Sequence, residues 1–372
     1  MTRLRFQLAA LFLALVAATF SFAQVKPPIG KEPPVKDKEK EKDKPTVTEI
    51  GGKSLNQWIK ESRDPDPGVR ENAVRTIMLF GPSGSPAASA IVERLRDSDV
   101  SLRVNAALAL AAIDVSGPDI PKAVDALARR VTDDYESIVK FHAAIALATF
   151  GKDAKSAIPS LITASKDGSS WEIRKAACFA LGRAGAATSK TDPLDMRAAN
   201  ALLYVLQRDH SALVRLEAAM ALGSMGRPAM PSEQKLLEDA LKHCANNDFD
   251  IPVRIWSVVG VLAINDAAPD QGLAAIAQFL KNKELVIRTH AARALGTIGP
   301  RAKSRVPDLV DMLSDKQPEG RLAAIWALAH IGEGAQMALP ALKEFAERKD
   351  QDETLRQAAK EAIDAINGKH KK

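Results

Sequence analysis

The chain has little of what most enzymes need. Its 372 residues include 2 cysteines, 4 tryptophans and 2 tyrosines, and aromatics make up 5% of the whole. There is no glycine-rich phosphate loop, no Gly-x-Ser-x-Gly and no His-Glu-x-x-His. Six histidines are present, His142, His210, His243, His290, His330 and His370, and none is followed by glutamate. The net charge of +6 also dissolves on inspection. Setting aside 12 basic and 5 acidic residues in the two termini leaves 40 basic against 41 acidic side chains in residues 49–367. A near-neutral body lacks the cationic groove that nucleic acid requires. Cys178 and Cys244 lie two repeats apart, beyond the reach of a disulfide, so both are expected to be unpaired. No segment reads as a strand.

What is present is one sentence written nine times. A helix of inner type, such as Asp209 to Gly226, carries a basic residue in its first turns, and that residue recurs at Arg70, Arg103, Lys140, Arg174, Arg215, Arg254, Arg288, Arg321 and Arg356. The gaps between them run from 33 to 41 residues, the period of a stacked array of helix pairs. Three residues on stands alanine in every copy but one, where it is Ser257. Seven residues on stands a branched side chain, among them Leu110, Leu147, Leu222 and Leu295. A small residue at a fixed place lets helices approach, and the branched one fills the space beyond. Six residues before the base stands Asp64, Asp97, Asp134, Asp209, Asp248, Asp315 or Asp350, with Gly168 and Asn282 as exceptions. Acid and base can therefore pair along the stack, since equivalent sites in packed helices lie roughly 10 Å apart.

The pattern Asp-x5-Arg-x2-Ala-x3-Leu-Gly, preceded by a helix such as Ala157-Ile-Pro-Ser-Leu-Ile162, resembles the HEAT repeat, above all its short bacterial form. The resemblance covers about residues 53 to 367. It implies an all-α, right-handed solenoid of about nine helix pairs, held by the acid–base ladder. Within that family, deoxyhypusine hydroxylases hold iron with His-Glu pairs, which this chain lacks. Phycobilin lyases use the same short repeat, but pigment attachment does not suit a tethered, exported chain. For function the resemblance is nearly silent, since such solenoids serve many partners; the missing catalytic motifs point to a non-catalytic scaffold without cofactors, with an enzyme of the lyase or hydroxylase type as the alternative.

Residues 1–23 read as a signal peptide, with Arg3 and Arg5 ahead of an apolar run and Ser21-Phe22-Ala23 before the cut. The run is shorter than the ~20 residues needed to span a bilayer. Export to periplasm or medium is expected, with no membrane insertion after cleavage. Residues 24–48, in which seven lysines alternate with five acids and paired prolines, read as a solvated linker. The solenoid occupies 49–367 and a basic tail 368–372. Outer helices are expected over 86–96, 120–131, 157–165, 193–207, 231–245, 268–280, 306–313 and 339–347, after a first one at 55–61. Two longer links are expected, at 184–192 and 246–251. The last helix should be a polar cap, since Gln357, Lys360, Glu361 and Asp364 replace apolar residues.

For function, the slot two residues after the base draws attention because it varies from copy to copy. It holds His142, Glu217, Trp256 and His290, and nine residues after the base stand Arg183 and His330. These six are the candidate partner-binding residues of a concave strip, with Trp256 as its anchor. Trp326 and Phe179, five residues after the base, are expected in the core between repeats. The partner is an unidentified protein, and no nucleic acid is expected.

Overall fold

The computed structural model describes residues 47–189, 191–265, 269–348 and 350–368. The expected signal peptide, nearly all of the expected linker and all but the first residue of the tail lie outside them. Among the described residues, eighteen α-helices form nine pairs. The inner helices are Pro67–Leu79, Val100–Ala112, Ser137–Phe150, Trp171–Ala184, Ala212–Ser224, Ile251–Ile264, Leu285–Ile298, Pro318–Ile331 and Glu353–Ile366. Each packs on its neighbouring inner helices, one at either end of the array and two elsewhere, and on the outer helix of its own repeat. One apolar cluster runs the length of the array, from Trp58 to Ile366.

The inner helices begin where the cap chemistry says they should. Asp66, Asp99 and Asp250 each accept a hydrogen bond from the first turn, and Pro67 and Pro252 stand where a missing N–H is harmless. Four of them end at a positive-φ glycine that opens a 3₁₀ turn, Gly81, Gly151, Gly299 and Gly332, a conformation that side chains with a Cβ avoid. From each of these glycines the chain runs through a seven-residue 3₁₀ turn into the next outer helix. The outer helix of the second repeat therefore starts as an α-helix at Ala88. The alanine slot is fully buried, as at Ala73, Ala106, Ala218 and Ala291. At Gly182 the approach is closer still, because a Cβ there would stand 2.7 Å from the Cβ of Ala221.

Three expectations are corrected. Strand does occur, as a hairpin pairing Glu49–Ile50 with Lys53–Ser54 ahead of the first helix. Trp58 fastens it by donating from Nε1 to the Ile50 carbonyl at 3.0 Å. Two residues per strand are too few to show alternation in a sequence. The second long link is not a link. The outer helix Pro231–Asn247 has 17 residues and absorbs the extra length, leaving only Asp248, Phe249 and Asp250 before the next helix. The link after Ala184 is long as expected, with an isolated bridge between Ser189 and Asp192. The acid missing at Gly168 is supplied one residue earlier, by Asp167, which meets Lys140 Nζ at 3.2 Å.

Candidate interaction surface and its frame

The ladder fixes the register of the inner helices. In its repeating unit an arginine spans two repeats. Nε and Nη2 of Arg103 clamp the carboxylate of Asp134 at 2.8 and 2.9 Å, while its Nη1 donates to the Asp97 carbonyl at 2.9 Å. The carboxylate of Asp134 also accepts the backbone N–H of Glu136 at 3.1 Å. The same geometry joins Arg70 to Asp97, Arg174 to Asp209, Arg215 to Asp248 and Arg288 to Asp315. Planar bidentate pairing explains why arginine fills this slot in every repeat but the third, where Lys140 makes a single contact. Burial pushes the carboxyls of Asp97, Asp134 and Asp209 up, but the guanidinium and backbone donors outweigh it and hold them below the usual range. At Asp315 the bond from Arg288 is itself the largest influence, and it acts in the same direction.

Five expected members stand outside the ladder. In register, the acid that Arg254 would meet is replaced by Asn282, which offers no charge, and Arg254 donates instead to the Ala245 carbonyl at 3.2 Å and lies over the ring of Phe279. Asn282 keeps only the turn-capping half of the role, accepting the N–H of Glu284 at 2.9 Å. Arg321 binds the carbonyls of Asp315 and Lys316, and Asp350 pairs with Arg348 rather than with Arg321. Arg356, in the last helix, pairs with Glu353. Asp64, which no earlier repeat faces, accepts the N–H of Asp66 and lends its carbonyl to Arg70.

The candidate partner-binding residues fare differently. Trp256 and His142 are each only 5% exposed, so the expected open slot does not exist at those positions. Trp256 donates from Nε1 to Nδ1 of His290 at 3.1 Å, across the sixth–seventh junction, one of the two where the rung is missing. Burial, then the nearby Arg293, lowers the His290 pKa to about 4 against the opposing pull of Asp250. His142 donates from Nδ1 to the Ile138 carbonyl at 2.8 Å and burial lowers its pKa. Arg183 donates from Nε to the Ala148 carbonyl in the preceding repeat at 2.7 Å, and burial lowers its pKa. His330 is the one exposed member, stacked at 3.8 Å on Trp326. Glu217 keeps partial solvent contact. Yet so much protein surrounds it that burial pushes its carboxyl up to about 7 against the pull of Lys175.

The wheel explains the miss. At about 100° per residue, the direction opposite the alanine and the branched residue is that of the fifth residue after the base. The slot two after the base lies roughly 60° away from that direction, on the flank where neighbouring helices meet. The outward row is the one at one and five residues after the base. Across the second to fifth repeats it reads Val104 and Leu108, Phe141 and Ile145, Lys175 and Phe179, Leu216 and Met220, all half-buried and all apolar but Lys175. Trp326 and Phe179 belong to this row rather than to the deep core. At the ends the row turns polar, with Glu71 and Arg75 in the first repeat and Gln357 and Glu361 in the last.

This geometry agrees with the comparisons. The family model for HEAT repeats matches residues 55–148, 158–260 and 274–364. The chain belongs to the HEAT-repeat family. Among solved structures, a Kap121p mutant is 15% identical with a TM-score of 0.53, over 84% of this chain and 37% of that one. A computationally designed armadillo repeat protein for modular peptide recognition is 21% identical with a TM-score of 0.43, over 57% of this chain and all of that one. The YIBA_ECOLI protein is 18% identical with a TM-score of 0.39, over 84% and 92%. No curated protein sequence matches significantly. HEAT and armadillo solenoids commonly serve as protein-binding scaffolds. Among the described residues no group of His, Cys, Asp and Glu is arranged to hold a metal ion.

Proposed function

We propose that this HEAT array is a non-catalytic scaffold that holds a protein partner against its inner helices, outside the cytoplasm. The observation that carries the reading is the row of half-buried apolar side chains from Leu108 to Met220. Its members sit on consecutive repeats at one angular position, with charged Glu71 and Arg75 in the first repeat and the buried pair Ile255 and Val259 in the sixth. Rigid presentation by the ladder supports the same reading, since a surface held in register loses little freedom on binding. The export signal at residues 1–23 supports the location, and N-terminal sequencing of the mature protein should begin at Gln24. Affinity capture with Phe179→Gln and Met220→Gln tests the surface. Both variants should lose the partner that the unaltered protein retains while keeping their helical signal. Undiminished capture by both would remove the inner face from consideration.

A further inference from the structure

Four consecutive repeats carry an aromatic ring at the turn into the inner helix: Tyr135, Trp171, His210 and Phe249. Three of these stand five residues before the ladder base, and Trp171 stands three before it. All four are exposed, Tyr135 at 99% and Phe249 at 101%. The equivalent turns on either side carry Ser98 and Lys283, with no ring. Single exposed apolar residues are ordinary, but one ring in every repeat of a contiguous run is not. Between His210 and Phe249 lies an open cleft of about 590 Å³ whose lining also includes Asp209, His243, Asn247 and Asp248. Neither the ladder nor the inner-face row uses these rings.

Acids accompany the rings. Glu136 follows Tyr135 and makes no capping bond, Glu172 follows Trp171 and accepts from Ser170 Oγ, and Asp250 follows Phe249 and caps the next helix. Spacing then selects the ligand. Stacked helices repeat at roughly 10 Å. A polyproline II segment turns once in three residues of about 3.1 Å each, or roughly 9.3 Å. One side chain of every turn therefore meets one ring of every repeat. A β-strand fails this match, because residues three apart point to opposite faces. An amphipathic helix needs a walled apolar groove, whereas Tyr135 and Phe249 stand fully exposed and Trp171 partly so.

We propose that the turn edge of repeats three to six binds a proline-rich segment of a partner protein that carries lysine or arginine. Pyrrolidine rings stack on the aromatic rings and the cations meet the neighbouring carboxylates. This edge is distinct from the inner face, and the proposal stands or falls apart from the scaffold reading there.

Fluorescence anisotropy of labelled peptides with the full chain, at about 0.15 M salt to screen loose charge attraction, tests it. Three peptides of about twelve residues, each spanning roughly 37 Å if extended, are compared. They repeat Pro-Pro-Lys, Pro-Pro-Glu or Ala-Ala-Lys. Saturable binding is expected for the first, weaker by at least about tenfold for the other two. Phe249→Ser and Tyr135→Ser should each weaken it by roughly three- to tenfold without moving the melt, since neither ring is buried. Met220→Gln, on the inner face, should leave it unchanged. The proposal is overturned by no saturable binding of the Pro-Pro-Lys peptide, by equal binding of the Ala-Ala-Lys peptide, or by indifference to both ring variants.

Discussion

Arg215 holds Asp248 of the following repeat with two parallel bonds, Nε and Nη2 each 2.9 Å from a carboxylate oxygen, and holds the Asp209 carbonyl of its own repeat at 3.0 Å. A cation shared between repeats in this way ties each inner helix to the start of the next. Truncating it strips a mostly buried carboxylate of its partner and leaves a carbonyl unpaired. Arg215→Ala should therefore destabilise by about 2–4 kcal/mol. Arg254→Ala, which removes one carbonyl bond and a ring contact but orphans no carboxylate, should cost about half as much or less. Chemical denaturation of the two variants side by side checks this. Equal losses would mean that the carboxylate clamp contributes nothing beyond packing.

The gap at Asn282 suggests a gain. Its side chain already sits in the acid position and caps the same turn, and Arg254 occupies the slot from which the other arginines reach forward. Asn282→Asp should complete the rung and stabilise the sixth–seventh junction by roughly 1 kcal/mol, the scale of a partly exposed charged pair. The added stability should be present at neutral pH and vanish as the new carboxylate is protonated below about 4. A melting temperature unchanged at neutral pH would show that Arg254 is held too firmly by Ala245 and Phe279 to turn.

Much of this was legible from the sequence because repetition exposes it. Nine copies of a base, an alanine and a branched residue at fixed spacing name the fold, the stacking contact and the ladder together. What escaped did so where one copy departs from the rest. Asp167 sits one residue off the common spacing, yet its carboxylate still reaches Lys140. The 17-residue outer helix reads as a loop only if every helix is assumed equal. The error at Trp256 is angular. A slot that varies between copies looks like a binding strip, but variation also follows when each junction packs its own flank.

Trp256 therefore belongs to stability. Its ring is almost wholly buried at the sixth–seventh junction, which lacks a rung, and its N–H is taken by His290. Trp256→Ala should lower stability by about 3–5 kcal/mol, the usual scale for a buried large aromatic. Trp256→Phe should cost less, because it keeps the ring packing and loses the hydrogen bond. A variant that melts normally but loses a partner would restore the surface role.

Two half-buried groups, Glu217 and His290, should pull stability in opposite directions over the same pH range. His290 has a pKa of about 4, lowered by burial and then by Arg293, and accepts the Trp256 N–H only when Nδ1 is unprotonated. Unfolded, it titrates near 6.5. Its contribution is complete above about 6.5 and is lost as pH falls toward 4. Glu217 has a pKa of about 7, raised by burial, against an ordinary value near 4.5. Its contribution is complete below about 4.5 and is lost as pH rises through 7. These two contributions nearly cancel between about pH 4.5 and 6.5, over the rise that the lowered His142 and His330 also give. Relative to the unaltered protein, Glu217→Gln should make stability rise more steeply with pH and His290→Gln less steeply, each by roughly 1–3 kcal/mol across the window. Urea denaturation at half-unit pH steps reads both slopes, and NMR of the His290 ring locates its titration directly. Parallel profiles for the two variants would show that these groups do not titrate as their surroundings dictate.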